Sequence, residues 1–236
     1  MPIYTTRSSF WRGFRGGVPF LLVAAPFALL FGVVGTEAGL SIAQVMGFSI
    51  VVIAGAAQFT AVQLMTENAS TVIVLAASLV VNLRMAMYSA ALAPHLGAAP
   101  LPARCLIAYF NVDQTYAMGQ AEYEAAPDQP MASRIAFFLG ASAPLVPSWY
   151  IFTYVGAVTG SAIPPGYALD FALPITFLAL VAPALKTLAH MVAALTSVIV
   201  ALALVWMPSG LGLIAAALVA MIVGARVELW QKGHAS

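Results

Sequence analysis

Charge is what this chain has least of. Charged residues make up 7% of the 236 and hydrophobic residues 62%, with a mean hydropathy of +0.97. A soluble domain carries about 25% charge, so the composition excludes a separate globular domain. The whole chain, residues 1–236, reads as one integral membrane domain. A net charge of +1 excludes the basic field that nucleic acid requires. A single cysteine, Cys105, excludes an intrachain disulfide and reads as a small buried hydrophobe. Enzyme signatures are also missing: there is no H-E-x-x-H, G-x-S-x-G, Walker A or helix-opening G-x-G-x-x-G. The three histidines lie far apart with no cysteine cluster beside them. No catalytic residue, metal site or cofactor is therefore expected.

What the chain does have is apolar runs. Eight can be marked: Val18–Gly35, Ala43–Met65, Ser70–Ala93, Pro102–Gly119, Arg134–Thr159, Asp170–Leu185, Leu188–Met207 and Leu211–Arg226. The third alone would extend about 36 Å as a helix, enough to cross the hydrocarbon core. These predict an all-α, polytopic bundle of about eight transmembrane segments. The sixth is short and holds Pro174 and Pro183, so seven spans is the alternative. The basic N-terminal stretch and first run look superficially like a signal peptide, but the run is long and Thr36-Glu37-Ala38 is a poor cleavage site, so a retained span is expected.

If all eight segments cross from a cytoplasmic N-terminus, Arg7, Arg12, Arg15, Arg134, Lys186, Arg226 and Lys232 fall inside and only Arg104 falls outside. Both termini are then cytoplasmic. A polar linker, residues 120–133, separates stretches 14–119 and 134–228, which suggests an internal repeat of four helices each. Phe31-Gly32-Val33-Val34-Gly35 echoes Val155-Gly156-Ala157-Val158-Thr159 across that linker. Four spans per half would make the repeat parallel; three plus a linker would make it inverted.

Polar residues inside the spans are where function is sought. Arg84 sits within the third run, and a guanidinium cannot be neutralised at ordinary pH. It needs protein or water around it. Counting inward along antiparallel third and fourth helices brings Arg84 and Asp113 to similar depth, so an ion pair is expected there. That pair either fixes helix register or exchanges partners with a substrate. Gly55-Ala56-Ala57-Gln58-Phe59 combines small residues with one amide, which suits either a tight helix contact or a substrate approaching backbone. Ser78, Asn82 and Ser89 form one polar stripe, and Asn111, Gln114, Thr115 and Met118 another.

These same elements carry a resemblance. Gly55-Ala56-Ala57-Gln58-Phe59, then Ser78 through Pro94-His95 with Asn82-Leu83-Arg84 inside it, then Phe110-Asn111-Val112-Asp113, resemble the AzlC-type family of branched-chain amino-acid permeases. The likeness runs from about Phe14 to Glu228. The family has an acidic pair in the fourth segment, where this chain has Asp113-Gln114. The resemblance implies a secondary transporter, without an ATP-binding domain, exporting leucine, isoleucine, valine and sometimes methionine across the bacterial inner membrane. It also implies a small separate membrane subunit as partner. Gly55, Gln58, Asn82, Arg84, Asn111, Asp113 and Gln114 are the candidate substrate or coupling residues. The competing reading is a transmembrane scaffold or regulatory subunit that transports nothing.

Overall fold

In the computed structural model the described residues are 5–162, 185, 187–207 and 211–234. Among them there is helix and no strand. The sixth apolar segment, save Leu185, lies outside the described residues, as does Lys186. The helices are α1 (Thr6–Gly17), α2 (Leu21–Glu37), α3 (Ile42–Val51), α4 (Gly55–Thr66), α5 (Thr71–Leu96), α6 (Leu101–Tyr109), α7 (Asp113–Ala125), α8 (Met131–Ser161), α9 (Leu188–Ala203) and α10 (Leu211–His234). A single 3-10 turn joins α1 to α2, so Thr6–Glu37 is one long helical run. The chain divides into two units. One takes in Met1–Gln63 and Ser78–Ile163, the other Leu64–Ala77 and Pro164–Ser236.

The frame of the first unit is a pair of long helices, α1–α2 and α8, in backbone-to-backbone contact. A Cβ placed on Gly13 would strike the Phe137 carbonyl, one on Gly140 the Phe10 carbonyl, one on Gly32 the Thr153 carbonyl and one on Gly156 the Leu29 carbonyl. Glycine is required at each of these positions because nothing larger lets two backbones approach so closely. Partner numbers rise together along both helices, so α1–α2 and α8 run parallel. The starts of α1 and α8 share one end of the unit, called here the Thr6 end. Gly32 and Gly156, the echo seen in the sequence, face each other in this seam.

The second and fourth apolar segments correct the expectation of straight spans, because each breaks and turns back. In the second, α3 packs antiparallel to α2, with Val45 against Gly35 and Phe48 beside Phe31. The backbone then becomes extended at Val52 (φ −136°, ψ 101°). Past the break α4 heads back, with Gly55 against Phe27 and Phe59 between Phe27 and Phe31. Gln58 Nε2 donates to Ser49 Oγ at 3.1 Å although the two are nine positions apart. A straight helix would separate them by about 13.5 Å. β-Branched Val52 and Ile53 just before a glycine give the helix little reason to continue.

The fourth segment repeats the pattern from the opposite end. α6 runs antiparallel to α5, then Phe110–Val112 breaks the helix, with Val112 extended (φ −111°, ψ 168°). Thr115 Oγ1 accepts from the Val112 N–H at 2.9 Å and donates to the Phe110 carbonyl at 2.8 Å, replacing partners the helix has lost. α7 then runs parallel to α5: Tyr116 stacks on Tyr88 and Tyr123 lies beside His95. Leu92, Leu96, Ile107, Tyr123, Phe137 and Phe138 share one buried cluster near the Thr6 end. Neither half of either hairpin is long enough to cross alone, since thirteen residues span only about 20 Å against roughly 30 Å of hydrocarbon.

Three consequences bear on the sequence reading. The polar stretch 120–133 takes in the end of α7, which continues to Ala125, and the start of α8 at Met131. Arg104 moves to the Thr6 end with Arg7, Arg12, Arg15 and Arg134, since α6 begins there. Cys105 is exposed rather than buried. At this end Arg12 pairs with Glu122, Arg134 donates to the carbonyls of His95 and Pro127, and Tyr123 donates to the Arg134 carbonyl. Burial pushes the Tyr123 phenol up from its ordinary pKa. The stretches proposed as repeats, 14–119 and 134–228, cannot be matched helix for helix, because 163–184 are outside the described residues.

The hairpin topology is directly testable. In a Cys105→Ser background, Ala98→Cys and Ser8→Cys should both react with a membrane-impermeant maleimide from the same face. Straight second and fourth spans would put them on opposite faces.

In the second unit α9 and α10 pack antiparallel, with Gly224 against Ala193 and Gly212 against Leu204. Thr187 caps α9 by accepting from the His190 N–H at 3.2 Å.

Candidate functional site

The seven residues picked from the sequence fall at the tips of the two hairpins and along the α5 helix that flanks the second. Arg84 Nη1 lies 2.9 Å from Asp113 Oδ2. The two residues meet on parallel helices, not on the antiparallel ones anticipated, because the chain reverses just before Asp113. Helix rise puts Arg84 about 16 Å in from His95, and Asp113 about 15 Å in from Tyr123. Asp113 occupies the first turn of α7, where a carboxylate complements the helix dipole. Gln114 follows it in the same turn, half-buried.

This ion pair is not sealed. Side-chain exposure is 30% for Arg84 and 44% for Asp113. Mid-way along the helices such exposure would be costly against lipid, so the pair needs water, protein or a ligand over it. Tyr88 is close enough to interact with the Asp113 carboxylate. Its ring stacks on Tyr116 at 4.2 Å between centroids, 9° from parallel. Tyr88 lies one helical turn beyond Arg84 on the same face of α5, and Tyr116 reaches it only because α7 runs alongside α5.

Asn111 sits in the break itself, 5% exposed, and its Nδ2 donates to Ser89 Oγ at 3.3 Å. Asn82 lies on the opposite face of α5 from Arg84 and is half-buried. Gly55 and Gln58 stand apart from these, at the first hairpin. Gln58 is 2% exposed and joins Ser49, which in turn lies 3.4 Å from Thr153 on α8. Gly55 is wedged under Phe27 and Trp149, where a Cβ would meet ring atoms at 2.6 and 2.7 Å. Ser49, Thr153, Phe27 and Trp149 carried no sequence signal, being ordinary residues on apolar helices. The two tips touch through Tyr109, the last residue of α6, whose hydroxyl contacts the Ile50 carbonyl of α3 and lies 2.8 Å from the Tyr150 hydroxyl of α8.

The same region holds polar atoms with no partner among the described residues. Gln58 Oε1, Ser78 Oγ, Asn82 Oδ1, Arg84 Nε, Asn111 Oδ1 and Asp113 Oδ1 are all buried without a hydrogen bond. Buried polar atoms are normally satisfied; Gln120 Oε1, Gln129 Oε1, Arg134 Nε and Trp149 Nε1 are in the same condition, so it is the open ion pair that distinguishes this region.

The AzlC protein family matches over residues 19–163, a stretch that takes in both hairpins and every site residue named above. The chain is also similar to the inner membrane protein YgaZ of Escherichia coli strain K12, with 24% identity over 177 residues, 72% of this chain and 71% of that one. No solved structure matches. With more than half its length matched, including α5 and the broken segment that sets Asp113 against Arg84, this membrane-transport-related helical bundle belongs to the AzlC family.

Proposed function

We propose that this chain is a secondary transporter that exports hydrophobic, branched-chain amino acids across the bacterial inner membrane, working with a small membrane subunit. The observation that carries the reading is the half-exposed Arg84–Asp113 pair at the tip of a broken helix. An amino-acid zwitterion offers both charges the pair lacks in excess: its carboxylate replaces Asp113 at Arg84, and its ammonium replaces Arg84 at Asp113. Ion pairs exchanged this way leave no charge uncompensated in the membrane. Discontinuous helices meeting near the midplane are how many secondary transporters present backbone and side-chain groups to substrate. Apolar surroundings favour leucine, isoleucine and valine over polar amino acids but separate them weakly, since one methylene is worth about 1–3 kcal/mol.

Orientation follows from the hairpins. Arg7, Arg12, Arg15, Arg104 and Arg134 all belong to the Thr6 end, so we assign that end to the cytoplasm. The exception that straight spans created at Arg104 disappears. The test is efflux of leucine, isoleucine, valine and methionine from cells preloaded with dipeptides, with the small subunit supplied. Faster efflux than from cells lacking the chain is expected. Efflux no faster than from cells lacking the chain, for every one of the four, would overturn the transporter reading and favour a scaffold.

A further inference from the structure

We propose that a cavity between α5 and α6 is the antechamber of the transport site, in which Arg104 captures the carboxylate of a hydrophobic amino acid from the cytoplasm before it reaches Arg84. This rests on the transporter reading and adds a residue and a subsite to it. The cavity holds about 240 Å³ and belongs wholly to the first unit. Leu92, Leu96 and Ile107 are among its apolar walls, Arg104 lies at the Thr6 end, and Ser89 and Asn111 lie at the inner end.

Arg104 is the first reason. Arg12 is paired with Glu122, Arg84 with Asp113, and Arg134 with two carbonyls. The Arg104 guanidinium has no ion pair or hydrogen bond among the described residues, yet the residue lines a cavity. A guanidinium presents a planar fork that matches a carboxylate in a bidentate arrangement. The second reason is size and lining. Drug-sized ligands occupy roughly 300–1,000 Å³, so this smaller, mostly apolar space suits a single amino acid with an aliphatic side chain. The third is where the cavity leads. Asn111 closes its inner end with an amide oxygen that has no partner among the described residues, and Asp113 is two residues further on. A substrate held by Arg104 is therefore one short step from the charged pair. Its positive potential also raises the local concentration of carboxylates at the mouth.

The capture role separates from the transport step kinetically. Arg104→Gln should raise the internal leucine concentration giving half-maximal efflux at least fivefold, with the maximal rate within twofold. Arg104→Lys should recover part of that loss. Ala93→Phe, which fills the slot from α5, should raise the half-saturating concentration as well. Purified protein with its small subunit should bind leucine in preference to leucinamide, and Arg104→Gln should abolish that preference. Unchanged half-saturation and unchanged preference in Arg104→Gln would overturn the capture role while leaving the transporter reading intact. Loss of a co-purifying phospholipid in Arg104→Gln, with leucine kinetics unaltered, would also overturn it and make the cavity a lipid site. If the wild type moves no amino acid, the transporter reading fails, and the leucine–leucinamide comparison still decides whether Arg104 binds a carboxylate.

Discussion

Asp113→Asn is expected to cut leucine efflux at least tenfold at matched membrane abundance, and Arg84→Ala to do the same. Each substitution leaves the other charge alone at mid-depth, where Arg84 Nη1 and Asp113 Oδ2 now lie 2.9 Å apart. Two effects then follow, one on folding and one on transport, and the double variant tells them apart. With both charges removed nothing remains uncompensated, so Arg84→Ala/Asp113→Asn should accumulate in the membrane better than either single variant. If the pair serves only to hold α5 against α7, the double variant should also recover efflux. If the pair exchanges partners with substrate, it should remain as inactive as the single variants. Measuring abundance and efflux together in all three proteins reads both outcomes. Restored efflux in the double variant would reduce the pair to a structural tie.

The largest effect on folding is expected at the seam between α1–α2 and α8. Gly156→Leu would drive a side chain into the Leu29 backbone, and Gly32→Leu would meet the Thr153 carbonyl and the Ala157 amide. Backbone cannot move aside as a flexible side chain can. Overpacking usually costs about 1–3 kcal/mol, and here the obstacle is a helix on which the whole first unit is assembled. Little folded protein should survive in either variant, judged by a monodisperse peak on size-exclusion chromatography in mild detergent. Gly47→Ala is the matched control, since nothing lies within 4 Å of a Cβ there. It should elute and melt as the wild type does. Equal behaviour of Gly156→Leu and Gly47→Ala would mean that the seam does not support the fold.

The helical character was legible because hydropathy reports which residues avoid water. It does not report where a helix reverses. A hairpin of two half-helices has the same apolar length as one span, so Ala43–Met65 and Pro102–Gly119 looked like the rest. The informative signs were local: Val52 and Ile53 before Gly55, and Asn111 before Asp113 with Thr115 placed to satisfy the freed backbone. Charge held a further clue. Arg104 as the single outside arginine was the price of drawing straight spans, and the hairpin removes it. Of the site, Arg84 and Asp113 stood out because ionisable residues are rare in spans. Tyr116, Ser49 and Thr153 could not, because their meaning depends on which helices lie side by side. The meeting of Arg84 with Asp113 was anticipated from depth alone, although the helices run in the same direction and not in opposite ones.

The hairpins also bear on the order in which the chain can be built. α3–α4 leans on α2, which is already made when the hairpin emerges, and later on α8 through Ser49 with Thr153. α6–α7 meets α5 through Asn111 with Ser89 and Tyr116 with Tyr88, and finds further partners on α8, through Tyr109 with Tyr150 and Tyr123 with Arg134. Synthesis delivers α8 afterwards. The second hairpin therefore leaves the ribosome before its supports on α8 exist, with Asp113 in its middle and Arg84 as the nearest available counter-charge. The ion pair that we place in transport is thus also one of the contacts with α5 able to hold this segment at depth until the last helix of the unit arrives.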